Sequence, residues 1–233
     1  AQINKYKKLS SLVKPSSGDA MLEIGCGWGG FAEYVGKNYD VKLDCITISK
    51  KQYEYTKERI FKNGLNEKVN IEMLDYRDVK KKYNSIASIE MIEAVGENYL
   101  ESYFKKIKEN LLDNGKAAIQ AITIDDNLYE RYKTKQDFIQ KYIFPGGFLP
   151  CKKSLLQLAN DNGLSFNECN SYGLDYSNTL KLWQNEFLKK WEQISKQGFD
   201  LNFKRMWNFY LSYCEAGFKS KNIDLIQFAL QNK

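Results

Sequence analysis

A doubly wound α/β fold, built on a mostly parallel sheet, is what this 233-residue chain predicts. Three observations point there. Strand-like and helix-like segments alternate five times with short connections. The polar clusters fall at the C-terminal ends of those strands, where ligands of such sheets bind. A glycine-rich stretch, Glu23-Ile24-Gly25-Cys26-Gly27-Trp28-Gly29-Gly30, follows the first apolar run and opens a helix.

Ile3, Tyr6, Leu9 and Val13 recur at helical spacing, and the run from Lys14 to Asp19 ends that helix through Pro15 and Gly18. Ala20 to Ile24 reads as the first strand, and Val41 to Ile46, ending at Thr47-Ile48, as the second. Ser49 and Gln52 have the S-x-x-Q spacing of a capping box, opening a helix that ends near Asn63-Gly64. Val69 to Leu74 and Ile86 to Ile89 are the third and fourth strands. A helix follows from about Tyr99 to Leu112. Asp113-Asn114-Gly115 then turns into a fifth strand, Ala117 to Ile124.

The stretch 125–150 breaks the alternation. It ends in the apolar run Tyr142 to Pro150, which reads as an insertion covering a site, or else as a satellite core under a long loop. A helix from Ser154 to Asn162 is capped by Gly163 and leads to a sixth strand near Leu164 to Cys169. Two aromatic helices occupy about 179–219. Trp183, Phe187 and Trp191 share a face of the first; Phe203, Trp207, Tyr210, Leu211, Cys214 and Phe218 share a face of the second. Such stripes are core more often than ligand boxes. Ile223 to Leu230 closes the sheet.

The glycine loop is the strongest chemical signal. Glycines allow a left-handed backbone and close approach of a ligand, and the next helix offers its free N–H groups. The spacing G-x-G-x-G-G lacks the last glycine of the dinucleotide fingerprint. With Glu23 ahead of it, it suits a smaller adenosyl ligand held by Gly25, Gly27 and Gly29; a plain tight turn is the rival reading. The second strand ends in Thr47 and Ile48 instead of the usual acidic ribose ligand, and Gln52 can take that role beside its capping one. Asp75 and Tyr76 end the third strand, where a carboxylate can accept an exocyclic amine and a ring can cover an adenine. Glu93, after the fourth strand, lies where a reacting centre belongs, and Glu90 is placed to face a ligand's amino group. An exposed loop glutamate is the plain alternative. Tyr176 is a further candidate, structural or catalytic.

Composition narrows the chemistry. The chain has no histidine, which removes the commonest general base and zinc ligand, so no metal is expected. Five scattered cysteines without a C-x-x-C pair favour a reduced, cytoplasmic setting over a disulfide frame. A net charge of +6 fits an anionic partner. Lys152-Lys153, directly after the apolar insert, points to transient contact with an anionic membrane surface. Dispersed charge argues against nucleic acid. No apolar run is long enough to cross a bilayer. The chain begins at Ala1 without an initiator Met, as a fragment would.

With these segments assembled, the chain resembles the cyclopropane-fatty-acyl-phospholipid synthase family of S-adenosylmethionine (SAM) methyltransferases. The likeness covers nearly the whole sequence. It rests on Leu22 to Gly30, Ile46 to Ser49, Leu74 to Asp78, Glu93 to Gly96, Lys141 to Pro150, Asp175 to Leu180 and Phe203 to Met206. It implies a class I SAM-dependent methyltransferase (Rossmann-like) fold over 1–233 as one domain, with an antiparallel last strand and a helical, aromatic insertion over the site. It implies SAM as cofactor and unsaturated acyl chains of membrane phospholipids as substrate, at the inner face of the membrane. A homodimer is admitted, as is a reductase partner if the product is methyl-branched. Gly25 and Gly27 would line the methionine part of SAM, Thr47 and Gln52 the nucleoside, and Tyr76 the adenine. A bicarbonate ion acts as base in the family, and its ligands would correspond to Glu93, Gln120, Ile122 (through its backbone) and Tyr176.

Two departures stand out. The family has a histidine where this chain has Gln120, and glutamine cannot titrate. The family's Tyr-Ser-Cys segment, which closes over SAM, would precede Ala1, as would the N-terminal lipid-interacting domain of some members. The rival readings are methylation of a small amine, which wants a polar pocket, and a SAM- and lipid-binding module with a defective site.

Overall fold

The computed structural model describes residues 1–232, the side chain of Glu168 excepted. A seven-stranded sheet runs in the order β3-β2-β1-β4-β5-β7-β6. Its strands are β1 (Ala20–Ile24), β2 (Lys42–Thr47), β3 (Val69–Met73), β4 (Tyr83–Ile89), β5 (Leu111–Ile124), β6 (Leu164–Ser171) and β7 (Ile223–Asn232). β1 pairs in parallel with both β2 and β4, and β2–β3 and β4–β5 are parallel as well. The last strand is the antiparallel one. Strand order reverses between β1 and β4, which puts the topological switch point beside the glycine loop.

The first helices match their sequence signals. α1 (Gln2–Val13) buries Leu9, Leu12 and Val13, and Lys14 ends it in the left-handed region at φ 48 before Pro15. α2 (Gly30–Asn38) starts directly from the glycine loop. α3 (Lys50–Lys62) is capped by the Ser49 hydroxyl, which accepts from the Gln52 amide. α4 (Leu100–Asn110) turns Leu100, Tyr103, Phe104 and Ile107 inward.

One expectation needs correction. β5 begins at Leu111, and the anticipated turn at Asp113-Asn114-Gly115 is an irregularity inside the strand: its register with β4 shifts between Tyr83 and Ser85, with Asn114 at φ 62. A bulge of this kind absorbs extra residues without ending the ladder. The stretch after β5 is helical in part, as the resemblance implied, with α5 (Tyr129–Lys133) and α6 (Phe138–Tyr142), the latter with a full Asp137/Gln140 capping box. Trp191 starts a separate helix, and its ring still meets Phe187, centroids 5.7 Å apart.

The chain divides into two compact units. The first comprises Ala1–Ala121, Lys153–Asn170 and Gln227–Lys233. Its core is largely aliphatic, with Met21, Leu43, Cys45, Val35 and Ala87 at or near zero exposure, and it also buries the rings of Phe31, Tyr103, Phe104 and Phe228. α7 (Lys152–Asp161) adds Leu155 and Ala159 to the buried set. The second unit comprises Ile122–Lys152 and Ser171–Ile226. It holds α8 (Gly173–Lys189), α9 (Trp191–Ser195) and α10 (Leu201–Lys219). Leu180, Leu211, Phe218 and Leu225 form its buried centre, with Phe187, Trp207 and Tyr210 packed around them. The second stripe is thus core at Leu211 and Phe218 and half-buried at Trp207 and Tyr210, while Trp183 of the first is exposed.

Candidate active site

The tips of β1, β2, β3 and β4 surround a cavity of about 540 Å³ within the first unit. That volume lies in the ~300–1,000 Å³ range of small-molecule sites. β1 supplies the floor. Gly25 and Cys26 both donate their amides to the Ile46 carbonyl at 3.0 Å, which folds the loop onto the end of β2. Gly25 lines the cavity at φ +78, and a Cβ there would lie 2.9 Å from Met91 Cγ. Gly27, at φ +53, also lines it, with nothing within 4 Å of where a Cβ would stand. Gly29 does not line the cavity; it lets α3 approach, since a Cβ there would meet Thr56 Cγ2 at 2.6 Å.

Glu23 lies in the strand interior and is fully buried, away from the cavity lining. Cys45 Sγ donates to its carboxylate at 3.3 Å. Burial pushes the Glu23 carboxyl up to about 8, against the Cys45 hydrogen bond and the Lys5 charge. At neutral pH it is thus mostly the uncharged form that the β1–β2 interior holds.

At the tip of β2, Thr47, Ile48 and Gln52 all line the cavity. Thr47 Oγ1 donates to Gln52 Oε1 at 2.8 Å and accepts from the Ser49 amide at 3.2 Å. The capping box is therefore half-formed. Ser49 caps the helix, while the Gln52 side chain turns to Thr47 instead of returning to the cap backbone.

Asp75, Tyr76 and Arg77 form the β3 wall. The Arg77 guanidinium binds the Asp75 carboxylate through Nε at 2.9 Å and Nη2 at 2.6 Å and holds it below the usual carboxylate range. Tyr76 sits edge-on to the buried Tyr103, ring centroids 5.6 Å apart, and burial raises its hydroxyl pKa.

After β4 the chain is left-handed at Glu90, φ 51, an uncommon conformation for a residue with a side chain. Glu90 lines the cavity, and Gln120 Nε2 donates to its Oε1 at 2.6 Å. Gln120 itself is fully buried on β5, behind the lining. Glu93 occupies the 3₁₀ turn Ile92–Ala94, half-buried and outside the lining. Burial pushes up the Tyr103 hydroxyl, and the Glu93 charge adds to that. Ile122 and Tyr176 belong to the second unit. There Ile122 packs against the buried centre, and the Tyr176 ring lies 4.9 Å from Phe218 and 6.1 Å from Trp183.

The cavity thus gathers Gly25, Gly27, Thr47, Ile48, Gln52, Asp75 and Tyr76, and leaves Glu23, Gly29, Glu93 and Gln120 outside its lining. Sequence reasoning missed Met91, Val95, Tyr99 and Arg77 as wall residues. For Met91 and Arg77 the signal was available, because each lies within a few residues of a strand's C-terminal end; Val95 and Tyr99 lie farther from the end of β4.

The mycolic acid cyclopropane synthetase family matches this chain over residues 1–228. The chain belongs to that family. Within the cyclopropane synthetase family and its relatives, this chain is 36% identical to a tuberculostearic acid methyltransferase of Mycobacterium tuberculosis, over 99% of its length and 54% of the relative's. It is 34% identical to the cyclopropane-fatty-acyl-phospholipid synthase of Escherichia coli strain K12, over 97% of this chain and 57% of that one. The chain spans little more than half the length of these relatives. Among solved structures, the mycolic acid cyclopropane synthase CmaA1 complexed with SAH and CTAB superposes with a TM-score of 0.91 at 25% identity, covering 100% of this chain and 84% of that chain. A sarcosine dimethylglycine methyltransferase from Galdieria sulphuraria, at 15% identity and a TM-score of 0.81, shares the class I methyltransferase fold alone. Among the described residues, no helix is long and apolar enough to cross a membrane.

Proposed function

We propose that this protein transfers a one-carbon unit from SAM to the double bond of an unsaturated fatty-acyl chain of a phospholipid, giving a cyclopropane or a methyl-branched chain. The observation that carries the reading is the cavity at the switch point of a cyclopropane synthetase family chain. Its walls suit an adenosyl donor. Gly25 and Gly27 leave backbone exposed to the amino-acid end, Thr47 and Gln52 offer hydroxyl and amide groups to a ribose, and Tyr76 offers a face to an adenine. SAM supplies an electrophilic methyl group when bound.

An alkene is a weak nucleophile, so the protein's part is to hold the double bond in line and keep water away. Methylation leaves a carbocation on the acyl chain, which aromatic faces stabilise without trapping it. The family likeness supports assigning Glu93 and Gln120, both in the first unit, to a bicarbonate that removes the final proton. Loss of that proton from the new methyl closes a ring; loss elsewhere leaves a methylated alkene for a reductase. Gln120, in place of the family's histidine, weakens that bicarbonate site and favours the second outcome. Gln120→His should then raise the share of ring product, and an unchanged product ratio would refute this part.

An apolar shelf on the second unit supports membrane contact. Tyr142, Phe144, Phe209 and Tyr213 are exposed, with Phe138 4.7 Å from Phe209, and the exposed Lys141 and Arg205 lie on the same helices. Aromatic rings beside cations suit the interface of an anionic bilayer. The test of the whole reading is incubation with methyl-¹³C SAM and vesicles of unsaturated phosphatidylglycerol, followed by NMR of the acyl chains. Label in a ring or branch is expected; label that never enters the acyl chains rejects the proposal. Mass alone does not serve, because the ring and the methylated alkene are isomers.

A further inference from the structure

Behind the cavity wall runs a chain of hydrogen bonds whose direction is fixed at its far end. The Lys5 carbonyl, on α1, accepts from Gln227 Nε2 at 3.3 Å. The same Nε2 donates to Gln120 Oε1 at 2.8 Å. Gln120 Nε2 then donates to Glu90 Oε1 at 2.6 Å, and the Glu90 amide donates back to the Gln120 carbonyl at 2.9 Å.

A backbone carbonyl has no proton to give, so it must meet the NH₂ side of the Gln227 amide. That NH₂ in turn requires the oxygen side of Gln120, which leaves the Gln120 NH₂ for Glu90. Flipping either amide would set like against like. Gln120 is 0% exposed and Gln227 2%, so no bulk water reaches them to relieve such a clash. The relay ends on a side chain whose backbone sits in the left-handed region, a conformation that persists where the surroundings hold it.

We propose that Gln227 is a positioning residue for donor binding: through Gln120 it holds Glu90 as a hydrogen-bond acceptor on the cavity wall, where Glu90 attracts the cationic end of the donor. The inference rests on the SAM reading above and adds to it a residue on β7, more than 100 positions from its partners Gln120 and Lys5. It also explains why α1 is tied to the site, since its Lys5 carbonyl sets the polarity of the relay.

The test is calorimetric titration of the wild-type protein and of Gln227→Glu and Gln227→Met with two probes. SAM carries the cationic sulfonium and amino-acid end; 5′-methylthioadenosine keeps the nucleoside and lacks both. Gln227→Glu leaves at most one proton where the amide gives two, so it cannot serve both the Lys5 carbonyl and Gln120 Oε1, and it should lower the ratio of SAM to methylthioadenosine affinity by about tenfold, the size of one charge-assisted hydrogen bond. Gln227→Met removes the constraint and should lower the ratio less. Gln120→Leu combined with Gln227→Met should lose no more than Gln120→Leu alone, because both act on one group. A ratio that stays constant while both affinities fall together marks a merely structural role and overturns the proposal, as do additive losses in the double variant. If Gln227→Glu does not fold, Gln227→Met decides on the same ratio. Failure of both probes to bind the wild-type protein overturns the donor reading and the relay with it, whereas binding with an unchanged ratio overturns the relay alone.

Discussion

The two units are built from different side chains and suit different partners. In the first, Leu22, Leu43, Ile86 and Ala87 are closed off from solvent, as parallel strands covered on both faces require. In the second, the buried centre is small, and rings such as Phe187, Trp207 and Tyr210 are only partly covered. An aliphatic sheet is a stiff frame, so its strand tips can hold a small polar ligand in fixed positions. Half-buried rings keep free area and a polar edge, which suits an apolar or interfacial partner.

Changes to the frame should have the larger effects. Gly25→Val combines a left-handed φ of +78 with a Cβ 2.9 Å from Met91 Cγ, and should weaken SAM binding by about a hundredfold or more. Far-ultraviolet circular dichroism should not change; a loss there would mean that the substitution unfolds the frame and does not act on the ligand site. Phe31→Ala empties a site only 2% exposed and should cost about 3–5 kcal/mol in denaturant unfolding.

Glu23 gives the frame a pH signature. Its folded pKa of about 8 lies above its ordinary value of 4.5, so the folded state binds more protons than the unfolded one between those values. Its contribution is complete below pH ~4.5 and is lost as pH rises through about 8, with a slope of up to ~1.4 kcal/mol per pH unit from this group. Glu23→Gln should flatten that slope in thermal melts taken across the window; an unaltered slope would mean that the carboxyl is already ionised. On the shelf of the second unit, Phe209→Ser should change stability by no more than about 0.5 kcal/mol and yet reduce sedimentation with anionic vesicles. Arg77→Ala, which opens the half-exposed pair with Asp75, should be comparably small, below about 1 kcal/mol by chemical denaturation.

The frame was also the legible part. β1 and the glycine loop were readable because apolar runs and glycines report directly on burial and backbone freedom. Helix starts were readable where a side chain caps its own turn, as Ser49 does. Contacts that depend on another element were not. Gln52 satisfies the capping spacing and turns to Thr47 instead. Asp113 to Gly115 has the composition of a turn and is absorbed as a bulge because β4 pairs on both sides of it. Glu90 gave no sign of a left-handed backbone, since such a conformation is read from sequence only at glycine or asparagine. The partners of Gln227 lie on α1 and β5, too far along the chain for any local pattern to join them.

A crystal structure determined with S-adenosylhomocysteine is the most direct test of the central claim, that the first unit alone frames the donor site. The account predicts the nucleoside between Thr47–Gln52 and Asp75–Tyr76, with the amino-acid end over Gly25 and Gly27 and against Glu90. The ligand bound elsewhere, or absent from this cavity at saturating concentration, would contradict it.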